Sequence, residues 1–220
     1  MENRVKAVVF DLDGTLIDSA PDICAAVNKT LAGEGIKPLG LATITSFIGN
    51  GLPKLVERVI RHVDLPLARH QDLTAATLAI YNRSPSNLTK PYEGVMACLD
   101  LLKSEGYHLG ICTNKPFSIT QKVVRELDMK PYFDALVGAD TLPVKKPDPA
   151  PLHHCIKALG SDETLYVGDS ETDYQTATNA RIPFALFTGG YRKAGLSYFK
   201  NATVFDTFKE LPEVIRTHFN

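Results

Sequence analysis

Asp11, Asp13, Gly14 and Thr15 fall within five consecutive positions, directly after the apolar run at residues 5–10. Two carboxylates at a strand end can hold a cation and present a nucleophile. Backbone amides around Gly14 and Thr15 would cradle a phosphate, with Gly14 allowing the close approach. Later segments carry matching chemistry. Thr113 and Asn114 close the run at 108–113. Asp169 and Ser170 follow the run at 164–168, and Asp173 stands one helical turn further on. Lys146 lies in VKKPDPAP, where Pro147, Pro149 and Pro151 restrict the backbone and anchor the loop. Should Asp11, Asp13, Asp169 and Asp173 converge, each pair ~4 Å apart repels by about 4 kcal/mol at an effective dielectric of roughly 20. A hard divalent cation relieves this repulsion, and Mg²⁺ leaves room for a substrate phosphate. Lys146 neutralises part of the remainder. The expected chemistry is phosphoryl transfer, which asks for little beyond alignment and charge compensation.

These residues need a scaffold that brings strand ends together. Val5, Ala7, Val8, Val9 and Phe10 suit a strand buried on both faces. Short apolar runs recur at 108–113, 135–139, 164–168 and 184–188, separated by helical spacing near 94–105, 117–128, 149–159 and 172–180. Alternation of this kind predicts an α/β fold: a Rossmann-like parallel sheet with helices on both faces, connected by right-handed βαβ units. Such sheets offer ligands the carboxyl ends of their strands, where all the candidate residues fall. Residues 19–82 break the rhythm. Ile23, Val27 and Leu31 recur every four positions, and Leu52, Leu55, Val56, Val59, Ile60 and Val63 form one stripe opposite Lys54, Glu57, Arg58 and Arg61. The segment is expected to be an all-helical insertion. Its forward hinge is expected near residues 17–20, with Ser19 capping a helix, and its return hinge in RSPSNLTKPY at 83–92.

Composition sets the class. A chain of 220 residues, 44% apolar and with net charge −1, can fill a core and has no excess of positive charge for nucleic acid. No apolar run approaches the ~20 residues of a membrane-spanning helix, and MENRVK lacks a signal peptide's apolar stretch. Cys24, Cys98, Cys112 and Cys155 are scattered with no C-x-x-C, which suits thiols in a reducing compartment rather than a disulfide frame or zinc site. The expectation is a cytoplasmic protein, monomeric or homodimeric, acting on a small phosphorylated metabolite.

In order along the chain, DLDGT, Thr113, Lys146 and GDSETD resemble the four motifs of the haloacid dehalogenase superfamily, and the helical insertion resembles that superfamily's mobile cap. The resemblance implies a core at 1–17 and 86–220 with a cap at 18–85. It implies that Asp11 attacks phosphorus to form an aspartyl-phosphate, and that Asp13 protonates the leaving oxygen and then activates water. Thr113 and Lys146 would hold the phosphoryl group. Mg²⁺ would sit on Asp11, the carbonyl of Asp13 and Asp169, with Asp173 one layer out. Dehalogenases lack an acid at the position of Asp13 and phosphonatases typically do too, which points to a phosphatase.

Agreement over FDLDGTLIDSAPD, FIGNG, TNKP, KKPDP and VGDSETD narrows the resemblance to a bacterial phosphatase branch acting on a small phosphorylated acid. FIGNG at 47–51 is then expected to dip toward the site and bring Gly49, Asn50 and Gly51 to the substrate. The core motifs show no spare cation for a substrate carboxylate, so that role is expected to fall to the cap. Arg58 is the candidate, because a guanidinium fork suits a carboxylate; Lys54 and Arg61 are its competitors. The cap is short for this group, and sugar phosphates, N-acetylmuramate 6-phosphate, nucleotides or pyrophosphate would use the same core residues. A β-phosphoglucomutase-like mutase, or a phospho-acceptor signalling domain, are the remaining alternatives.

Overall fold

The apolar run that opens the chain becomes the middle of a sheet. The computed structural model describes residues 5–220; residues 1–4, counted above into the core segment and into the reading of the chain's start, lie outside the described residues. In chain order the elements are β1 (Lys6–Phe10), β2 (Ile17–Asp18), α1 (Ala20–Gly33), α2 (Leu41–Thr45), α3 (Leu52–His62), α4 (His70–Arg83) and β3 (Lys90–Pro91). They continue with α5 (Val95–Ser104), β4 (His108–Cys112), α6 (Phe117–Glu126), β5 (Ala135–Val137), α7 (Ala150–Leu159) and β6 (Glu163–Gly168). The chain ends with α8 (Glu171–Ala180), β7 (Phe184–Phe187), β8 (Thr203–Phe205) and α9 (Leu211–Phe219).

Six strands form one sheet in the order β5-β4-β1-β6-β7-β8, every neighbouring pair parallel. The chain steps outward from β1 through β4 to β5, then returns across β1 to build β6, β7 and β8. The order reverses between β1 and β6, so the connections leaving these two strands diverge and open a crevice at their carboxyl ends. Both faces are covered, as a parallel sheet requires. Val8 and Phe10 of β1 pack with Leu99, Val123 and Ile215 of α5, α6 and α9 on one face. Ala7 and Val9 pack with Leu152, Cys155 and Ala177 of α7 and α8 on the other. Fully buried Val8, Val9 and Phe10 explain why the run reads as continuously apolar.

The expected elements are present, with corrections. The apolar runs do not reveal β8, because it is an edge strand of three residues with Thr203 and Val204 exposed. Helix α9 and the two-residue strands β2 and β3 also went unread. These two strands pair antiparallel, Ile17 with Pro91 and Asp18 with Lys90, and so join the segments on either side of the helices α1 to α4. Asp22 ties the same junction: its Oδ2 accepts from the N–H groups of Leu88 and Thr89 (2.8 and 2.7 Å) and from the Thr89 hydroxyl (2.7 Å).

Between these two crossings the four helices pack on one another, α1 on α4 and α3 on α4. Leu55, Val56, Val59 and Ile60 of α3 are buried, with Leu52 and Val63 half-buried beside them. The predicted stripe is thus the face that α3 turns inward. Ser19 does not cap α1 with its side chain. The Tyr191 hydroxyl instead accepts from the N–H groups of Ser19 and Ala20 (2.9 and 3.0 Å), which frees the Ser19 hydroxyl for another partner. No helix among the described residues is long and apolar enough to cross a membrane.

Candidate active site

Asp11 follows β1, and its N–H donates to Val167 O of β6 at 2.9 Å, which extends the ladder by one residue. The chain then turns tightly. Leu12 O receives the N–H groups of Thr15, Leu16 and Ile17, and the Gly14 N–H donates to Ile17 O at 2.9 Å. The amides of Gly14 and Thr15 are therefore consumed within the turn, and the expectation that they cradle a phosphate is corrected. The N–H groups of Leu12 and Asp13 have no acceptor among the described residues and are the free donors of this loop. Gly14 is required for two reasons: its φ is +89°, and a Cβ there would lie 2.5 Å from Asp169 Oδ2. Thr15 contributes through its side chain, donating to Asp169 Oδ1 at 2.7 Å.

Oxygens of Asp11, Asp169 and Asp173 lie within 4.8 Å of one another, all three residues buried. Lys146 enters this cluster from the loop after β5. Its Nζ stands 3.0 Å from Asp11 Oδ1 and 2.6 Å from Asp173 Oδ1. The Asp11 contact is an ion pair, and among the described residues Asp11 Oδ1 has no hydrogen-bond partner. Burial works to lower the pKa of the Lys146 ammonium, but Asp11 and Asp173 outweigh it and the net shift is upward. Burial is the main cause that raises the Asp11 carboxyl from 3.8 to about 6, followed by the charge of Asp173. Asp169 is also raised, by burial first and then by Asp173 and Asp11.

The cluster is under-neutralised and fits a divalent cation. Three carboxylates against one ammonium leave a net charge of minus two when all are ionised, and the Asp11 oxygen without a hydrogen bond lies inside the group. Two carboxylate charges at the 4.8 Å limit repel by about 3.5 kcal/mol at an effective dielectric of roughly 20. The donors are all oxygens, as Mg²⁺ prefers. Asp173 is the least available of the three. Its Oδ1 accepts from Lys146 and from the Tyr166 hydroxyl (3.0 Å), and its Oδ2 accepts from the Ser170 hydroxyl (2.5 Å) and N–H (3.1 Å). The Ser170 contacts complete a capping box at the start of α8, so this carboxylate both caps a helix and anchors Lys146.

Asp11, Asp13, Thr113 and Asn114 line one cavity with Gly49 and Gly51 of the 47–51 loop, under a roof of Ile23, Ile48, Leu52, Leu55 and Leu78. Asn114 Nδ2 donates to Lys146 O at 3.1 Å and to Gly49 O at 3.5 Å, joining two loops of the core to the loop above. The outer side of that loop is held by cations: Arg58 donates to Phe47 O (2.7 Å), Lys193 to Ile48 O (3.3 Å) and Lys145 to Asn50 O (3.3 Å). Arg58 also donates to Asn50 Oδ1 at 2.6 Å and does not line the cavity. The side chain of Asn50 bridges to Thr172 Oγ1 at 2.9 Å instead of facing the cavity. The structure therefore brings Gly49 and Gly51 to the site, but gives Arg58 and Asn50 to loop support.

The residue the sequence reading passed over is Lys115. Its Nζ bonds Asp13 Oδ1 at 2.7 Å and the Tyr81 hydroxyl at 2.6 Å, with the side chain only 2% exposed. Asp13 Oδ1 also accepts from the Ser19 hydroxyl at 2.6 Å, so both of these bonds fall on one oxygen of a residue that lines the cavity. Burial works to lower the pKa of the Lys115 ammonium, but Asp13 and Tyr81 together raise it. The signal was present in TNKP, where Lys115 directly follows two candidate residues at a strand end. Tyr191 was also missed. Its N–H donates to Asp169 Oδ2 at 2.6 Å and its hydroxyl to Asp18 Oδ1 at 2.7 Å, linking the carboxylate cluster to the start of α1.

Comparisons with known proteins identify the family. Residues 8–187 match the family model described as haloacid dehalogenase-like hydrolase. The chain is 47% identical over 211 residues to a phosphoglycolate phosphatase of Cereibacter sphaeroides, covering 95% of this chain and 97% of that protein. It is 38% identical to a phosphoglycolate phosphatase of Neisseria meningitidis over 219 residues, covering 96% and 92% of the two chains. Among solved structures, a protein from Haemophilus somnus described as a predicted phosphoglycolate phosphatase superposes with a TM-score of 0.89 at 27% identity, over 97% of this chain and 99% of that one.

Proposed function

The chain is a phosphatase that belongs to the haloacid dehalogenase-like hydrolases, and we propose that it hydrolyses 2-phosphoglycolate to glycolate and phosphate through an aspartyl-phosphate on Asp11. One observation carries the mechanism: Asp11, Asp13 and Thr113 line a single cavity at the strand ends, with Lys146 against Asp11. The Asp11 carboxylate oxygen attacks phosphorus, a new oxygen–phosphorus bond forms to give an acyl phosphate, and the bond from phosphorus to the glycolate oxygen breaks. Asp13 Oδ2 gives its proton to that departing oxygen. Asp13 then takes a proton from water as the water attacks phosphorus, which releases phosphate and restores the Asp11 carboxylate. Thr113, Lys146 and the free N–H groups of Leu12 and Asp13 stabilise the phosphoryl oxygens.

Asp11, Asp169 and the carbonyl of Asp13 would hold Mg²⁺, with Asp173 supporting Lys146 and the start of α8. Bound there, the ion supplies positive charge that offsets the carboxylates and the phosphoryl group. The roles assigned to Gly49 and Gly51 are to close the cavity, and that of α1 to α4, within residues 18–85, is to act as the cap over a core of 1–17 and 86–220. The free thiols of Cys24, Cys98, Cys112 and Cys155 support a cytoplasmic enzyme.

The test is phosphate release from a panel of esters with Mg²⁺. The kcat/KM for 2-phosphoglycolate should exceed those for sugar phosphates, N-acetylmuramate 6-phosphate, nucleotides and pyrophosphate by at least about tenfold, equivalent to ~1.4 kcal/mol of transition-state binding. A higher value for any of these overturns the substrate. Retention of activity after exhaustive chelation overturns the metal site.

A further inference from the structure

A substrate that carries a carboxylate beside its phosphate needs a second cation. Most cations near the cavity are held away from its lining. Lys146 serves Asp11 and Asp173, while Arg58, Lys145 and Lys193 hold backbone carbonyls on the outer side of the 47–51 loop. Among the described residues that line the cavity, Lys115 is the one cation. Placing a carboxylate against Ile23, Leu52 and Leu78 without a partner would carry a large desolvation cost, because an unpaired ion in an apolar wall loses its hydration for nothing in return.

We propose that Lys115 binds the substrate's carboxylate and thereby restricts the enzyme to phosphate esters of 2-hydroxy acids. The inference rests on the phosphatase reading above and deepens it by naming the residue that reads the leaving group. Lys115 Nζ donates to Asp13 Oδ1 at 2.7 Å and to the Tyr81 hydroxyl at 2.6 Å, so two of the ammonium's three donors are used and one remains. Its position follows from chemistry as well as charge. Asp13 is the group that delivers a proton to the ester oxygen, so Lys115, one hydrogen bond away, stands beside that same oxygen. In a 2-phosphorylated acid the carboxyl carbon is two bonds from the ester oxygen and falls within reach of this ammonium. A carboxylate one or more carbons further out would pass Lys115 and meet the apolar roof.

Tyr81 holds the ammonium from above. It lies on α4 while Lys115 follows β4, and Lys115 Nζ sits 4.7 Å from the centre of its ring. The phenol is buried and its pKa is pushed up to about 12, chiefly by burial, so it stays neutral and sets no second negative charge against the substrate's carboxylate. The N-terminus of α3 adds to the same polarity: its cap residue Gly51 and first residue Leu52 line the cavity, and no side chain caps it.

The experiment compares 2-phosphoglycolate with ethyl phosphate, which has the same chain length but a methyl group in place of the carboxylate. A third ester, the phosphate of 3-hydroxypropionate, has its carboxylate one carbon further away. Wild type should favour 2-phosphoglycolate over both by at least about 30-fold in kcat/KM, the range expected of a hydrogen bond to a charged group. In K115M the ratio of 2-phosphoglycolate to ethyl phosphate should collapse by about the same factor. K115Q, which keeps a donor for Asp13 and Tyr81 but carries no charge, should show the same collapse and guards against a fault in folding. An unchanged ratio in either variant overturns the proposal. An equal loss on both esters also overturns it, because Lys115 would then act through Asp13 alone. Failure of the phosphatase reading is visible separately, as a wild type that releases no phosphate from any of the three esters or has no preference for the carboxylate.

Discussion

Replacing Asp11 with Asn should make the metal-free protein more stable while it removes the attacking oxygen. The Asp11 carboxyl is raised from 3.8 to about 6, first by burial and then by the charge of Asp173, with Lys146 compensating only in part. A shift of ~2 units corresponds to roughly 3 kcal/mol, held by the folded state whenever this carboxylate is ionised. The sign follows from proton binding. Between pH 4 and 6, roughly, folded Asp11 keeps a proton that the unfolded chain has lost, so stability falls as pH rises through that window and stays reduced above it. Asp11→Asn removes the charge, so in EDTA at pH 7.5 the variant should gain up to about 3 kcal/mol, or roughly 6–12 °C in Tm for a chain of this length. At pH 4 that gain should vanish. Saturating Mg²⁺ should narrow the difference by stabilising wild type more than the variant, because binding to the folded state alone adds to its stability. Urea unfolding followed by circular dichroism, with and without Mg²⁺ at pH 4 and 7.5, reads these free-energy differences. A variant no more stable than wild type in EDTA at pH 7.5 would refute the account of the cluster as under-neutralised. Turnover should fall by at least three decades in the same variant, roughly the loss expected for a missing nucleophile.

Asp13→Asn should slow 2-phosphoglycolate at least about tenfold more than p-nitrophenyl phosphate, whose leaving group needs little protonation; equal slowing in steady-state and burst kinetics would remove Asp13 as the acid. Asp173→Asn disturbs a carboxylate that accepts four hydrogen bonds, while Lys146 keeps Asp11 as its counter-ion, so it should cost about 1–3 kcal/mol in denaturant unfolding. Asp169→Asn should instead act mainly on the metal, raising the Mg²⁺ concentration for half-maximal activity more than Asp173→Asn does; the reverse order contradicts the assigned ligands. Arg58→Ala removes the donors to Phe47 O and Asn50 and should raise KM a few-fold for 2-phosphoglycolate and p-nitrophenyl phosphate alike, whereas a loss confined to the carboxylate-bearing ester would return Arg58 to the substrate.

Much of the fold was legible because burial on both faces writes itself into composition. Ala7 to Phe10 face two different cores on alternate residues, so every position had to be apolar. The amphipathic stripe of α3 was legible for the matching reason, since a single buried face imposes a period near 3.6. Strand β8 left no such trace: an edge strand of three residues with two of them exposed needs little apolar character. Asp11, Thr113, Lys146 and Asp169 could be found because motifs at successive strand ends are local in sequence, and a parallel sheet is obliged to bring those ends to one side.

What the sequence by itself determined was therefore the chemical inventory, the α/β class and the family. Tertiary structure alone decided how each polar group is used. Gly14 and Thr15 lie against Asp169, but their amides are spent inside a turn whose hydrogen bonds depend on backbone angles that residue types do not specify. Ser19 had the composition of a helix cap, yet Tyr191, more than 170 positions away, takes that task and leaves the hydroxyl for Asp13. The partners of Arg58 and Lys115 were hidden for the same reason. An exposed-looking arginine on a helix and a lysine after a strand differ little as letters, and only packing shows that one supports a loop while the other is buried beside Asp13. Partner choice between distant side chains is set by distances of a few ångströms across the sheet and the helices above it, and such distances have no local signature in the chain.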